Sequence, residues 1–191
     1  MYQDLLSQEG IEANYMSVIV PRRQVTGFTL FSGSVYSKSF DYGQVVRVDQ
    51  NGVALVEAFS TSLSAGQFYY DVINSVLYVR MSDSSNPSSK FVVAYYEIYV
   101  ATSDAHWYRD PLDNTTRTVY FDALIQNPVA FKSTISDSLF GYLPLQTTSV
   151  VLINAEHVFE KHIYDSSFNQ ASIKIYHVLD KIQDIDIDNI K

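Results

Sequence analysis

Runs of apolar residues separated by turn signals divide this chain into a series of short predicted strands. Residues 68–70 and 76–81 flank a turn that ends in Asn74-Ser75, and their Tyr, Phe and Val residues suit a pleated, half-buried surface. Asn51-Gly52 between two further apolar runs predicts a hairpin. Residues 91–100 are apolar at nearly every position and predict a strand covered on both faces. The predicted fold class is all-β, with mainly antiparallel β-sandwich or barrel modules and one or two short helices.

The remaining predicted elements complete this pattern along the chain. Asn154 is a good helix cap, and apolar residues at near-helical spacing after it predict a helix over residues 155–164. Residues 1–13 predict a second short helix that ends near Gly10. The other predicted strands are residues 15–20, 27–31, 34–40, 45–48, 53–56, 118–124, 149–153 and 172–178.

Two polar passages interrupt the strands. Residues 82–90 are rich in Ser, Asp and Asn and contain Pro87, a composition typical of a loop. Residues 103–116 form the second passage, and we place the domain boundary or crossover there. The chain is thus divided into an N-terminal β module, residues 1–103, and a C-terminal β module with the short helix, residues 104–191. These modules either stand apart or form one composite domain.

Composition agrees with a β protein and excludes several classes of function. The hydrophobic fraction is 47%, enough for a core, and 15 Tyr and 11 Phe against 7 Gly favour strands whose rings also suit interfaces. A net charge of −8 argues against nucleic-acid binding, which needs a basic surface. The chain has no Cys, hence neither disulfides nor thiolate metal sites. It shows neither a secretory signal at its start nor a run long enough to span a membrane.

Motifs for catalysis, cofactors and metals are missing from the sequence. No glycine fingerprint for a nucleotide and no nucleophile elbow occurs. His157 and His162 are five residues apart, about 140° around a helix, so one metal ion would not reach both, and a solvated helical face is predicted. Asp184, Asp186 and Asp188 lack the Gly and Glu of an EF-hand loop. We therefore predict no enzyme activity, no catalytic residue, no cofactor and no metal.

Two places are candidate interfaces. Trp107 and Tyr108 lie among acidic residues in the second polar passage. An acid beside an aromatic ring would grip a sugar, although a loop with one aromatic residue tucked onto the core is the favoured interpretation. Ile182, Ile185 and Ile187 alternate with acidic residues and predict an edge strand, whose carboxylates discourage aggregation. This strand alternatively extends onto a neighbouring subunit.

Two segments of the chain resemble structural proteins of bacteriophage tails. The first is an aromatic-Tyr-Asp strand at residues 67–71, followed by Leu77-Tyr78-Val79-Arg80, the polar loop 82–90 and a Tyr-rich strand. The second runs from residues 118–125 through Asp137-Ser138-Leu139-Phe140-Gly141 to the strand 150–154. Together they cover roughly residues 65–178. The chain departs from the family pattern at Asp122, where Glu is usual, and in the turn at residues 156 and 157, which often carries Asp-Gly.

The resemblance implies a tail-tip, baseplate or collar component that is located in the virion. Such a protein acts by assembly with other tail proteins and with itself, for which closed symmetry makes a ring the natural product. The resemblance implies no catalytic residues, and the expected partners include neither nucleic acid nor membrane. The alternative hypothesis is a phage receptor-binding or carbohydrate-binding β module.

Overall fold

The computed structural model describes residues 13–102, 106–109, 118–126, 130–133, 146–154, 157–165 and 167–179. Within these ranges the protein is all-β, with a single short α-helix, as the sequence predicts. No helix among them is long and apolar enough to cross a membrane.

Fourteen strands and one α-helix make up the described elements. The strands are β1 (Ala13–Gln24), β2 (Thr29–Ser32), β3 (Val35–Ser39), β4 (Gln44–Gln50), β5 (Val53–Ala54), β6 (Val56–Glu57), β7 (Gln67–Asp71), β8 (Val76–Arg80), β9 (Val92–Ala101), β10 (His106–Arg109), β11 (Thr118–Phe121), β12 (Ala130–Ser133), β13 (Gln146–Ser149) and β14 (Ser167–Leu179). The helix α1 is Glu160–Asp165, and a 3-10 turn, η1, covers Pro87–Ser89.

The strands form two five-stranded sheets and two separate hairpins. Sheet A has the order β14-β1-β9-β4-β5, and sheet B has the order β2-β3-β8-β7-β6. The hairpins are β10–β11 and β12–β13. The β6–β7 pairing is parallel, whereas the pairings β2–β3, β3–β8, β4–β5, β4–β9, β7–β8, β10–β11 and β12–β13 are antiparallel.

The chain divides into two compact units that are discontinuous in sequence. We call Val18–Ile98 with Val158–Ile173 the sandwich unit. The second unit consists of Met1–Ser17, Tyr99–His157 and Lys174–Lys191. The division into modules at residues 103 and 104 stays a prediction of the sequence.

In the sandwich unit, one continuous hydrophobic core lies between the two sheets. Sheet A contributes Val48 and Tyr96, and sheet B contributes Phe68 and Leu77, all of them almost completely buried. Phe40, in the link between β3 and β4, lies among three tyrosine rings and joins the two sets of side chains. Burying such side chains contributes roughly 1.5–3 kcal/mol each, so this cluster stabilises the sandwich.

The second unit is described for fewer residues. Phe121 at the end of β11 is buried, and its ring packs edge-on against Tyr99 with the centroids 5.3 Å apart. Ile125 is also buried and forms an isolated bridge with Leu152. These contacts lie between residues distant in sequence, which is what a compact β unit requires.

Two predicted hairpins are present in the sandwich unit. Asn51 and Gly52 link β4 to β5 with φ values of 51° and 82°, the left-handed conformation that a tight hairpin turn needs. The β7–β8 pair follows the predicted alternation, so that every second residue of each strand is buried. The residues predicted as one fully covered strand, 91–100, form β9, although its alternate positions are only half-buried.

The predicted polar loop, residues 82–90, is held in place by internal hydrogen bonds. The Asp83 carboxylate accepts hydrogen bonds from the side chain and backbone of Ser85 and from Lys90 Nζ at 2.7 Å. These partners, Lys90 first, hold the pKa of Asp83 well below its usual range. Asn86 caps η1 by accepting a hydrogen bond from the Ser88 backbone N–H. The loop is therefore an ordered connection between β8 and β9.

Several predicted boundaries are wrong, each for a local reason. The helix begins at Glu160 instead of residue 155, because His157 has a φ of 61° and breaks the helical path. The run 53–56 changes sheets at the buried Leu55, where β5 ends in sheet A and β6 begins in sheet B. Of the predicted strand 149–153, Ser149 ends β13 and Leu152 forms only its isolated bridge. The predicted helix over residues 1–13 lies outside the described residues, except for Ala13, which begins β1.

Two glycines give a stability prediction with a built-in control. A Cβ atom added to Gly43, which has a φ of 148°, would lie 2.5 Å from the Glu97 carbonyl oxygen. A Cβ atom at Gly52 would meet nothing within 4 Å. We expect Gly52→Ala to cost about 1 kcal/mol of unfolding free energy from its positive φ alone. Gly43→Ala should cost about 3 kcal/mol, because strain and overlap add. Urea titrations measure both, and equal losses would contradict the proposed overlap.

Candidate interaction surface

The outward face of sheet B carries a row of aromatic side chains. In the pairing register, Tyr69 of β7 lies opposite Tyr78 of β8, which lies opposite Ser37 of β3. Because side chains alternate along a strand, both tyrosines point away from the core that Phe68 and Leu77 enter. The same alternation that builds the core therefore builds an aromatic outer surface.

Phe31 of β2 extends this row at the edge of the sheet. The register of β2 shifts against β3 between Leu30 and Ser32, so Phe31 is the extra residue of a β-bulge. Bulges redirect a side chain and disturb the edge of a sheet. Here the Phe31 ring meets the Tyr78 ring edge-on, with the centroids 5.0 Å apart, although Phe31 remains 51% exposed.

The three rings form a continuous strip, which we call the aromatic strip: Phe31, Tyr78 and Tyr69. The Tyr69 and Tyr78 rings are stacked, with an interplanar angle of 25° and centroids 6.1 Å apart. Within the described part of the chain, neither tyrosine hydroxyl has a hydrogen-bond partner. Such rings offer apolar area at little conformational cost and a polar group for a partner, as at protein interfaces.

Polar side chains beside the strip are already engaged in local bonds. The Asp71 carboxylate accepts hydrogen bonds from the Ile73 and Asn74 backbone N–H groups, both at 3.1 Å, and from the Asn74 side chain. Arg80 donates to the Leu63 carbonyl oxygen at 3.0 Å and to the Ser84 hydroxyl. These bonds fix the borders of the strip and leave its rings as the groups available to a partner.

Two large apolar side chains project from the ends of sheet B. Ile73, in the turn between β7 and β8, is 94% exposed, and Phe59, just after β6, is 95% exposed. Single exposed apolar residues are common on protein surfaces, so neither side chain by itself marks an interface.

The interface residues proposed from sequence lie elsewhere or outside the description. Trp107 and Tyr108 belong to strand β10, opposite Tyr120 and Val119 of β11, instead of to a loop. Ile182, Ile185 and Ile187 lie outside the described residues, so the edge strand stays a prediction.

The two histidines considered as metal ligands are not equivalent. His157 is exposed before α1, whereas His162 is buried and its Nδ1 lies 3.1 Å from the Tyr96 hydroxyl. The predicted solvated face is thus wrong for His162. No cluster of potential metal ligands occurs among the residues that the structure describes.

The strip was not singled out from the sequence, although the signal was there. Residues 69 and 78 are tyrosines at outward positions of the two strands that the sequence predicts here. What the sequence could not supply is the register that places these rings side by side, or the bulge that adds Phe31.

Comparison of the chain with protein-family models, curated proteins and solved structures gives no match.

The hydrogen bonds accepted by Asp71 predict how the stability of the fold depends on pH. Hydrogen bonds from Asn74, its side chain first, lower the pKa of Asp71 from its ordinary value of 3.8. A lowered pKa means that the carboxylate stabilises the folded state fully above that ordinary value, and that this contribution disappears as the pH falls through the lower folded-state value. We expect Asp71→Ala to be destabilising at neutral pH, and less and less so as the pH falls below 3.8. Urea titrations at pH values above and below 3.8 measure the difference, and a loss that is independent of pH would contradict a role for the charge.

Proposed function

We propose that this chain is a virion structural protein of a phage tail, in the tail tip, baseplate or collar, and that it acts by assembly. Two kinds of support combine. The resemblance of residues 65–178 to tail proteins supplies the setting. The aromatic strip, the observation that carries the mode of action, supplies a surface for neighbouring subunits.

The strip suits assembly because of its position and its chemistry. It reaches β2, the edge strand of sheet B, where every residue is exposed. Aromatic residues are enriched at protein interfaces and dominate their binding energy. An acidic chain with a net charge of −8 repels its own copies at long range, so apolar contacts of this kind would have to hold them together. A closed ring of copies satisfies each such surface with its partner.

A matched pair of variants tests the strip. Light scattering over a range of concentrations should give a discrete oligomer for the wild type. Phe31→Ala combined with Tyr78→Ala should weaken assembly at least about tenfold, because a central aromatic residue contributes more than about 1 kcal/mol to an interface. Phe91→Ala is the control, since Phe91 is the same residue type as Phe31 and has nearly the same exposure, 53%, but lies just before β9. Equal effects of both variants, or no effect of the first, would remove the strip from the interface.

The tail setting needs a separate test. Mass spectrometry of purified particles of the phage that encodes the chain should detect it in tails, and deletion of its gene should give particles with incomplete tails. Detection of the protein solely in infected cells, with normal particles, would contradict the structural role while leaving self-assembly open.

The terminal segment of the chain is the second candidate interface. Ile182, Ile185 and Ile187 are proposed to extend onto a neighbour as an edge strand. Truncation after Leu179 should then weaken assembly and leave the unfolding transition of the sandwich unit unchanged. A truncated chain that assembles as well as the full one would show that these residues are not needed.

The alternative function is glycan or receptor binding, and one observation favours it. The strip lines up flat and edge-on rings with Ser37 and Thr29 across four strands, an arrangement of apolar faces and hydroxyls that fits a sugar chain. This alternative predicts a monomer in light scattering and saturable binding to a glycan on an array. Loss of that binding in Tyr78→Ala, with wild-type binding by Phe91→Ala, would favour it over assembly.

A further inference from the structure

Helix α1 is attached to the core of the sandwich unit through a buried histidine. His162 is 3% exposed, and its Nδ1 lies 3.1 Å from the hydroxyl of Tyr96, which is itself completely buried in β9. The two rings are stacked, with an interplanar angle of 26° and centroids 5.7 Å apart. One side chain of the helix thus makes both a hydrogen bond and a ring contact with the central strand.

The surroundings of His162 suit a neutral ring. Tyr42, Phe159 and Phe168 place their rings around it at centroid distances of 6.1, 6.2 and 6.3 Å. In the tautomer that carries its proton on Nε2, the Tyr96 hydroxyl donates to Nδ1. Protonation would put an N–H on Nδ1, so the Tyr96 hydroxyl could no longer donate to this atom. Burying a charge in such a place is costly unless an opposite charge accompanies it.

Two of the three charged groups near His162 are positive and would repel a protonated imidazole ring. Lys161 of α1 lies 5.8 Å from the Tyr42 ring centroid and donates to the Asp41 carbonyl oxygen, and the Arg23 guanidinium of β1 lies 3.9 Å from the same centroid. The Asp41 carboxylate is the opposing charge. Burial first, and then the two cations, lower the pKa of His162 from 6.5 to about 4, while Asp41 acts in the other direction.

We propose that His162 is an acid-sensitive latch, whose protonation releases α1 and the adjoining start of β14 from the core while sheet B stays folded. The helix is six residues long and its Ile163 side chain is exposed, so we expect release to stay local. Short segments of this kind typically open below the global free energy of unfolding. The proposal rests on the buried contact between His162 and Tyr96 and does not depend on the proposed assembly role.

The direction of the pH effect follows from linkage. A histidine with a lowered folded-state pKa stabilises the closed form fully above its open-state value, 6.5, and this stabilisation is lost as the pH falls from there towards about 4. Between about pH 7 and pH 5, the equilibrium constant for opening should rise by roughly 20-fold.

Hydrogen exchange by NMR tests the latch. The reporters are the His162 and Ile163 amides, which both donate to the Phe159 carbonyl oxygen, at 2.9 and 3.0 Å. After correction for the intrinsic exchange rate, their protection should fall roughly 20-fold between about pH 7 and pH 5. Protection in the β7–β8 hairpin should be unchanged. A pH-independent protection of the two reporters, or an equal fall in the hairpin, would overturn the proposal.

Variants separate the histidine from other titrating groups. His162→Phe combined with Tyr96→Phe keeps two stacked rings and removes both the titrating group and the hydroxyl that would lose its partner. In this double variant, the protection of residue 163 should no longer depend on pH. His157→Asn is the control, because Asn tolerates the φ of 61° and this histidine is exposed. It should retain the wild-type pH dependence, and a dependence that persists in the double variant instead would overturn the latch.

A direct titration of the wild-type protein covers the case in which the double variant does not fold. The His162 ring resonances should titrate near pH 4, in contrast to those of an exposed histidine. A midpoint close to 6.5 would show that protonation costs nothing in the folded protein, and the latch would be wrong.

Discussion

The structure depends on the burial of tyrosine hydroxyls in the core of a sandwich. Tyr96 and Tyr70 each bring an oxygen into the apolar interior, and an unpaired buried hydroxyl costs about 1–3 kcal/mol. Tyr70 donates to the Phe40 carbonyl oxygen at 2.9 Å, which fixes the link between β3 and β4. Tyr96 finds its partner in His162, 66 residues further along the chain. This hydrogen bond and the stacked rings attach α1 to β9.

Sheet B shows how one alternating pattern supplies both a core and an aromatic outer surface. The inward residues of β7 and β8 complete the core, and the outward residues of the same strands form the aromatic strip. Changes on one face therefore leave the other face intact, since neighbouring residues point in opposite directions. A β protein that binds through a sheet face can alter its partner without altering its fold. At the bulge at Phe31, the backbone itself departs from regular pairing and adds a ring to this surface.

The sequence predicts what is local and misses what is distant. Asn51-Gly52 and the alternation around residues 67–80 carry their structure in adjacent residues, and both hairpins are confirmed. The change of sheet at Leu55 is invisible in a run of apolar residues, because it depends on which strands lie on either side. Burial of His162 is equally invisible, since its partner in β9 is remote in sequence. The aromatic strip lies between these cases: alternation identifies its tyrosines, but only the register brings them into contact.

The passage of the chain from sheet A to sheet B at Leu55 also affects how the two sheets can move against each other. On one side of this residue the chain is bonded to sheet A, where the Leu55 N–H donates to the Val48 carbonyl oxygen at 2.8 Å. On the other side it is bonded to sheet B, where the Val56 N–H donates to the Gly66 carbonyl oxygen at 2.9 Å. Sliding one layer of the sandwich over the other would have to stretch this covalent corner and shear its backbone bonds. A tensile load applied to one layer at this point would therefore be passed to the other through the main chain.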